Sequence, residues 1–268
     1  TVNDETKTEK DGQKEKAKTI FYNIPSPVEM AELTQRANLN YDADVINSLE
    51  KVDQYTSTKS MALNLGVYGA DLSYTRLYDQ VQESINYLSA VRKLSENLGV
   101  PQSMEGYTVS RLEKNINNRD SLLFIITEIY SNADFYLKEN ERGSTAALVI
   151  TGGWIEAMHI ATNIVDENDP NTEILERIAE QKFSLENLIK LLESKFETMG
   201  SLQDVYDLLL ELKAAYDKIE LEHNPGNVVT DEENKLTSIH SKTQIYVNFE
   251  QIKEIKKIND KLRDMITS

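Results

Sequence analysis

Apolar residues recur along most of this chain at three- and four-residue spacings, the period of helices packed on one face. Ser26 stands as an N-cap before Pro27 at the first helical position, with Glu29 in the first turn. Met30, Leu33 and Ala37 then share a face, predicting a short helix from Pro27 to about Ala37, with a second from Asp42 to Glu50. Thr56, Ser57 or Thr58 can cap the next helix. There Met61, Leu65, Tyr68 and Leu72 form one apolar stripe, and Leu63, Val67, Ala70, Tyr74 and Leu77 form another. Two stripes leave little surface for water, so this helix is expected to be enclosed by its neighbours.

Asp79 followed by Gln82 reads as a capping box, which puts a break near Asp79. Val81, Ile85, Leu88, Val91, Leu94 and Leu98 give the following helix a cleaner amphipathic period, and Gly99 and Pro101 stop it. Further helices are expected at about 102–116, 119–140, 171–198 and 201–222. "VDENDPN" and the run Asn224, Pro225, Gly226 read as loops, and a last long helix or helix pair is expected from about Asp231 to Ile266. Lys253, Lys256, Lys257, Lys261 and Arg263 make its end locally basic, with acids interspersed, as on a solvated helix face.

Composition agrees with this pattern. Ten glycines and five prolines in 268 residues are too few for an all-β sandwich built on tight turns. The expected fold is therefore all-α, a multi-helix bundle of antiparallel hairpins. Residues 1–18 hold five lysines, five acids and almost nothing apolar, and are expected to be a disordered polar tether ahead of a single domain at 19–268. The formal charge of −16 makes nucleic acid an improbable partner, because phosphate binding relies on lysine and arginine displacing counterions. With no cysteine, disulfides, thiolate metal sites and cysteine nucleophiles are excluded from these residues.

Two stretches stand apart. Between Ser60 and Thr75 the only formal charge is Asp71, and over residues 144–165 it is Glu156. The second stretch approaches the roughly 20 residues that cross a bilayer, but Glu156, His159, Asn163 and the Gly152-Gly153 pair favour a buried central helix. "LNLGVYGADLSY" lies over "LVITGGWIEAMH" without a gap when Gly66 meets Gly152. Tyr68 then falls over Trp154, Leu72 over Met158, and Ala70-Asp71 over Glu156-Ala157. The match outlines two related halves, 57–141 and 143–222, with glycines that let backbones approach closely.

A carboxylate in such a helix needs hydrogen-bond partners or a counter-ion, or it takes up a proton. Tyr74 and Tyr78 lie on the same face as Asp71, and Arg76 is a further candidate partner. Asp71, Tyr74, Tyr78, Trp154, Glu156 and His159 are thus the candidate ligand-binding residues. Three readings stand for them: a satisfied structural network, a polar pocket for a small molecule, or acid–base catalysis. No HExxH, GxSxG, GxxxxGK[ST] or GxGxxG occurs, and the three histidines are scattered, so no catalytic residue, cofactor or metal site is assigned. "DENDPN" offers oxygen donors but lacks the glycine and terminal glutamate of an EF-hand loop.

"IPSPVEMAELTQRA", "KSMALNLGVYGADLSYTRLYDQ" and "GGWIEAMHIATNI" resemble segments of a group of uncharacterised helical proteins from Bacteroidota, many of them exported lipoproteins. The likeness runs over most of residues 20–222. It implies a cell-envelope location and a tethering role for residues 1–18, and it supplies no catalytic residues. A lipid anchor of that type would have to lie upstream of Thr1, since these residues contain no cysteine. The expected function is non-enzymatic: a binding or scaffold protein acting through protein–protein contacts in the envelope. A small-molecule binding protein is the alternative, and an enzyme using the buried acids comes third.

Overall fold

The computed structural model describes residues 40–99, 142–165, 171–224, 228–231, 236–239 and 242–268. The polar segment 1–18, the helix expected from Pro27 to Ala37 and those expected at 102–116 and 119–140 lie outside the described residues. Among the described residues six α-helices make the body: α1 (Thr58–Leu77), α2 (Val81–Asn97), α3 (Gly143–Asn163), α4 (Thr172–Lys195), α5 (Gln203–Tyr216) and α6 (Phe249–Thr267). Their inward faces share one core, with Trp154, Tyr68 and Tyr216 among its largest fully buried side chains. The fold is an all-α bundle.

Local chemistry accounts for the helix boundaries. Ser57 caps α1 in a reciprocal box with Ser60, each side chain accepting the other's backbone N–H. At the far end the break falls near Asp79 as expected, but for a different reason. No Asp79/Gln82 capping box forms; Asp79 takes a left-handed φ of 54°. Its N–H donates to the Arg76 carbonyl and the Gln80 N–H to the Thr75 carbonyl. These two bonds are a Schellman stop, so Asp79 closes α1 and does not open α2. Aspartate tolerates this conformation better than most side chains. α2 ends at Gly99, at φ 74°, and Asn171 caps α4 by accepting from the Glu173 and Ile174 N–H groups.

Three expected helices are corrected. Residues 42–50 form no single α-helix but two short 3-10 turns, Ala43–Val45 and Leu49–Gln54, each opened by a side-chain cap, Asp42 and Ser48. The helix expected at 201–222 stops at Tyr216. The last helix does not begin at Asp231: four strands precede it, β1 (Glu220–Asn224), β2 (Val228–Asp231), β3 (Leu236–Ile239) and β4 (Lys242–Tyr246). They pair antiparallel as β1 with β4 and β2 with β3, so α5 and α6 are joined by a β-arm. Valine, threonine and isoleucine dominate "NVVT", "LTSI" and "KTQIYV", and such residues favour the extended backbone. α6 starts where Asn248 and Gln251 form a capping box.

The centre of the bundle is the pair α1 and α3. Leu63 lies against Gly152, Gly66 against Gly153, and Asp71 beside Glu156, so residue numbers rise together and the two helices run in the same direction. A Cβ placed on Gly66 would sit 2.0 Å from the Val149 carbonyl oxygen, and one on Gly152 would sit 1.9 Å from that of Leu63. Leu63 and Val149 are matched in the same ungapped register that puts Gly66 over Gly152. The contact is therefore reciprocal, as across a twofold axis. α3 is enclosed by protein on most of its surface, and no helix among the described residues is long and apolar enough to cross a membrane.

These glycines should be irreplaceable where a neighbouring helix needs their space. Gly66→Ala and Gly152→Ala are each expected to cost on the order of 1–3 kcal/mol or more, because backbone must move to admit the methyl group. Gly153→Ala should be close to neutral, since its nearest atom would stand at an ordinary 3.4 Å. Thermal melts of the three variants check this order.

Candidate functional site

Asp71 projects from the middle of α1 and Glu156 from the middle of α3, and both side chains are fully buried, at 0% exposure. The close approach of the two helices puts the acids side by side. The counter-charge comes from α6: Arg263 is bidentate on Glu156, Nε donating to Oε2 and Nη2 to Oε1, both at 2.9 Å. Nη2 also donates to the Val45 carbonyl at 3.3 Å, which ties α6 to the first 3-10 turn. Both Glu156 oxygens are thus taken by one planar guanidinium, the strongest geometry for such a pair.

Asp71 is held differently. Its Oδ2 accepts the Asn47 backbone N–H at 3.2 Å, and no group donates to Oδ1. Burial pushes the Asp71 carboxyl well above the ordinary range, and the neighbouring Glu156 charge and their side-chain contact push the same way. Arg263 and the Asn47 N–H oppose this without overcoming it. Burial also works against the charge of Arg263, but its bonds to Glu156 and the nearby acid charges outweigh it and raise its pKa. These surroundings favour the charged guanidinium and the protonated form of Asp71.

A shell of polar side chains encloses the pair. The Tyr87 hydroxyl donates to the Asn47 carbonyl at 2.7 Å, and Asn47 Nδ2 donates to the Tyr55 hydroxyl at 3.1 Å. The Tyr55 hydroxyl passes its own proton to the Thr267 carbonyl at 3.2 Å, while the Tyr68 hydroxyl donates to the Ser48 carbonyl at 2.8 Å. Asn64 Nδ2 donates to the Ile266 carbonyl at 2.7 Å and Lys51 Nζ to the Thr267 carbonyl at 3.1 Å. The last turn of α6, whose carbonyls have no helical partner, is received by donors from the opposite side of the bundle.

The other candidate residues are placed elsewhere. Tyr74 is buried with its hydroxyl accepting the Asp42 N–H at 3.1 Å, and its ring stacks with Tyr41 and Tyr78 at 5.4 and 5.0 Å. Burial raises its pKa to about 12. Neither Tyr74 nor Tyr78 takes part in the bonds around Asp71; Tyr68 and Tyr87 are the tyrosines whose charge environment Asp71 enters. Trp154 is fully buried in the apolar core. His159 sits on the α3–α6 seam, where Nδ1 meets Asp260 Oδ1 at 2.7 Å and Lys256 holds the other oxygen at 2.6 Å. Burial works against the Asp260 charge, but these two bonds prevail and lower its pKa.

Arg263 is the residue that sequence reasoning misplaced. It was grouped with the lysines of a solvated face, yet its side chain is 13% exposed and seated on Glu156. Lys253, Lys257 and Lys261 do face solvent. The available signal was α6's own period: Ile252, Ile255, Asn259, Leu262 and Ile266 form its buried face, and Arg263 borders that stripe. Among the described residues no group of three or more His, Asp or Glu side chains is placed to hold a metal ion. The run Asp166 to Pro170 lies outside them, and Asn171 serves as a helix cap. No family model, curated protein or solved structure matches this chain.

Two sets of variants test the arrangement. Arg263→Ala strands Glu156 and should cost roughly 3–5 kcal/mol at neutral pH, where a buried acid has lost its bidentate cation. Arg263→Met combined with Glu156→Gln should recover a large part of that loss, measured by urea unfolding. Asp71→Ala should cost on the order of 1–3 kcal/mol by leaving its neighbours unpaired, and Asp71→Asn distinctly less.

Proposed function

We propose that this protein is a non-enzymatic binding or scaffold protein of the cell envelope that acts through protein–protein contacts. One observation carries the reading: the polar centre is sealed from solvent, and the bonds its acids make are to other parts of the fold. Asp71 and Glu156 have no solvent exposure, and Arg263 occupies both Glu156 oxygens. A catalytic acid or a ligand-orienting carboxylate has to meet its substrate, usually within hydrogen-bond reach. These acids meet only other parts of the chain. The burial favours the scaffold reading over a small-molecule site and over acid–base chemistry at this pair.

The outer surface is then where interaction takes place. Val81 and Ile85 stand one helical turn apart on α2, and Phe183 stands on α4, each well exposed on an otherwise acidic protein. The envelope assignment rests on the resemblance of "LNLGVYGADLSY" and "GGWIEA" to exported helical proteins, with residues 1–18 as a tether.

The test is made in the native cell. A photo-crosslinking amino acid at Ile85 or Phe183 is expected to give a discrete adduct with another protein, in the envelope fraction, and Asp71→Asn should leave that adduct unchanged. A native precursor without a signal peptide, together with fractionation into the cytosol, refutes the location. Absence of any discrete adduct at both positions refutes the binding role.

A further inference from the structure

We propose that Asp71 and Glu156 bind a single proton between them in the folded protein, so that closing the bundle takes up one proton from solvent. The geometry leaves one place for it. Glu156 has both oxygens committed to the Arg263 guanidinium, and Asp71 Oδ2 is committed to the Asn47 N–H. Asp71 Oδ1 is the one oxygen of the two carboxyls without a donor, and the Asp71 carboxyl is buried beside Glu156. A proton on Oδ1 turns it into a donor toward Glu156 and satisfies it. Without that proton, two carboxylates and one guanidinium would be shut away from water with a net charge of −1. An uncompensated buried charge is among the most destabilising features a core can carry.

Among the described residues, the charged and titratable groups that face the pair agree with one bound proton. From α6 comes the one cation among them, Arg263, and from α3 comes Glu156 itself. The stretch before α1 contributes neutral groups, the Asn47 amide and the Tyr55 hydroxyl. Tyr68 of α1 and Tyr87 of α2 are both pushed upward, chiefly by burial, and remain neutral. No second cation stands among these groups to neutralise an ionised Asp71. The direction of the Asp71 shift, upward through burial and the Glu156 charge, agrees with the same account.

Linkage then fixes a pH dependence. In the unfolded chain Asp71 releases its proton near the ordinary aspartate value, about 3.9. In the folded chain it holds the proton to a higher pH. The stability conferred by this group is complete below the unfolded value. It declines as pH rises towards the folded value and is constant beyond it. When the native protein does ionise there, the Asp71 O–H bond breaks, its electron pair stays on the carboxylate, and the proton passes to solvent. The contribution of this pair is thereby largest in acid and falls towards alkali.

Asp71→Asn is the control, since its amide can donate towards Glu156 and accept from Asn47 without titrating. Urea unfolding of both proteins is measured at steps from about pH 5 to about pH 8. The ratio of unfolding constants, wild type over variant, should climb about tenfold per pH unit, the slope for one proton, until native Asp71 ionises. A ratio that stays flat from pH 5 upward means that Asp71 is ionised in the fold, and overturns the proposal. Should the variant fail to fold, the side-chain carbon resonance of Asp71 in the wild-type protein decides. A protonated signal at neutral pH supports the shared proton, and a carboxylate signal there overturns it.

Discussion

The approach of α1 to α3 at Gly66 and Gly152 governs the rest of this molecule. Without Cβ atoms at those positions, each helix can rest on the carbonyls of the other. Backbones that close leave no room for water along the seam, so any side chain pointing into it is desolvated. Asp71 and Glu156 both point into it. From that follow the need for a buried cation and the choice of a planar one that covers both Glu156 oxygens at once. The residue that meets this need is carried on α6, and α6 is in turn fastened by its own last carbonyls to Lys51, Tyr55 and Asn64. Apolar packing supplies the bulk of the burial, but this polar seam determines which face of α6 is presented and at what height.

Much of this was readable in the residues, and the reason is periodicity. The double stripe on α1 marked an enclosed helix before any coordinates were known, and fifteen of its twenty residues are buried. The low-charge stretches carrying Asp71 and Glu156 marked the central pair, and the shared register of Gly66 and Gly152 anticipated their contact. What composition could not reveal was direction. Overlaying two similar helices says that they are alike, whereas the succession of contacts from Leu63–Gly152 through Gly66–Gly153 to Asp71–Glu156 shows that they run parallel.

The misreadings share a cause as well. Asp79 looked like a cap because aspartate favours both helix starts and left-handed stops, and only the bonds of the neighbouring amides distinguish the two. Residues 220–222 and 231–246 read as helix on either side of the Asn224-Pro225-Gly226 loop; pairing between strands is a non-local event that β-branched content hints at without fixing. Tyr74 and Tyr78 share the Asp71 face by spacing, yet their rings turn to Tyr41. Arg263 was lost among lysines because arginine and lysine look alike in a charge count. They differ once a desolvated carboxylate is waiting.

The seating of Arg263 also has a consequence for how the chain is made. Glu156 and Asp71 leave the ribosome well before the residue that neutralises one of them, and the donors Lys51, Tyr55 and Asn64 wait for carbonyls more than two hundred positions later. Until α6 has emerged, the seam between α1 and α3 has no cation, so its helices can gather but cannot close over their acids as ions. Completion of the core therefore waits for α6, whose arginine seats on a glutamate 107 residues earlier in the chain.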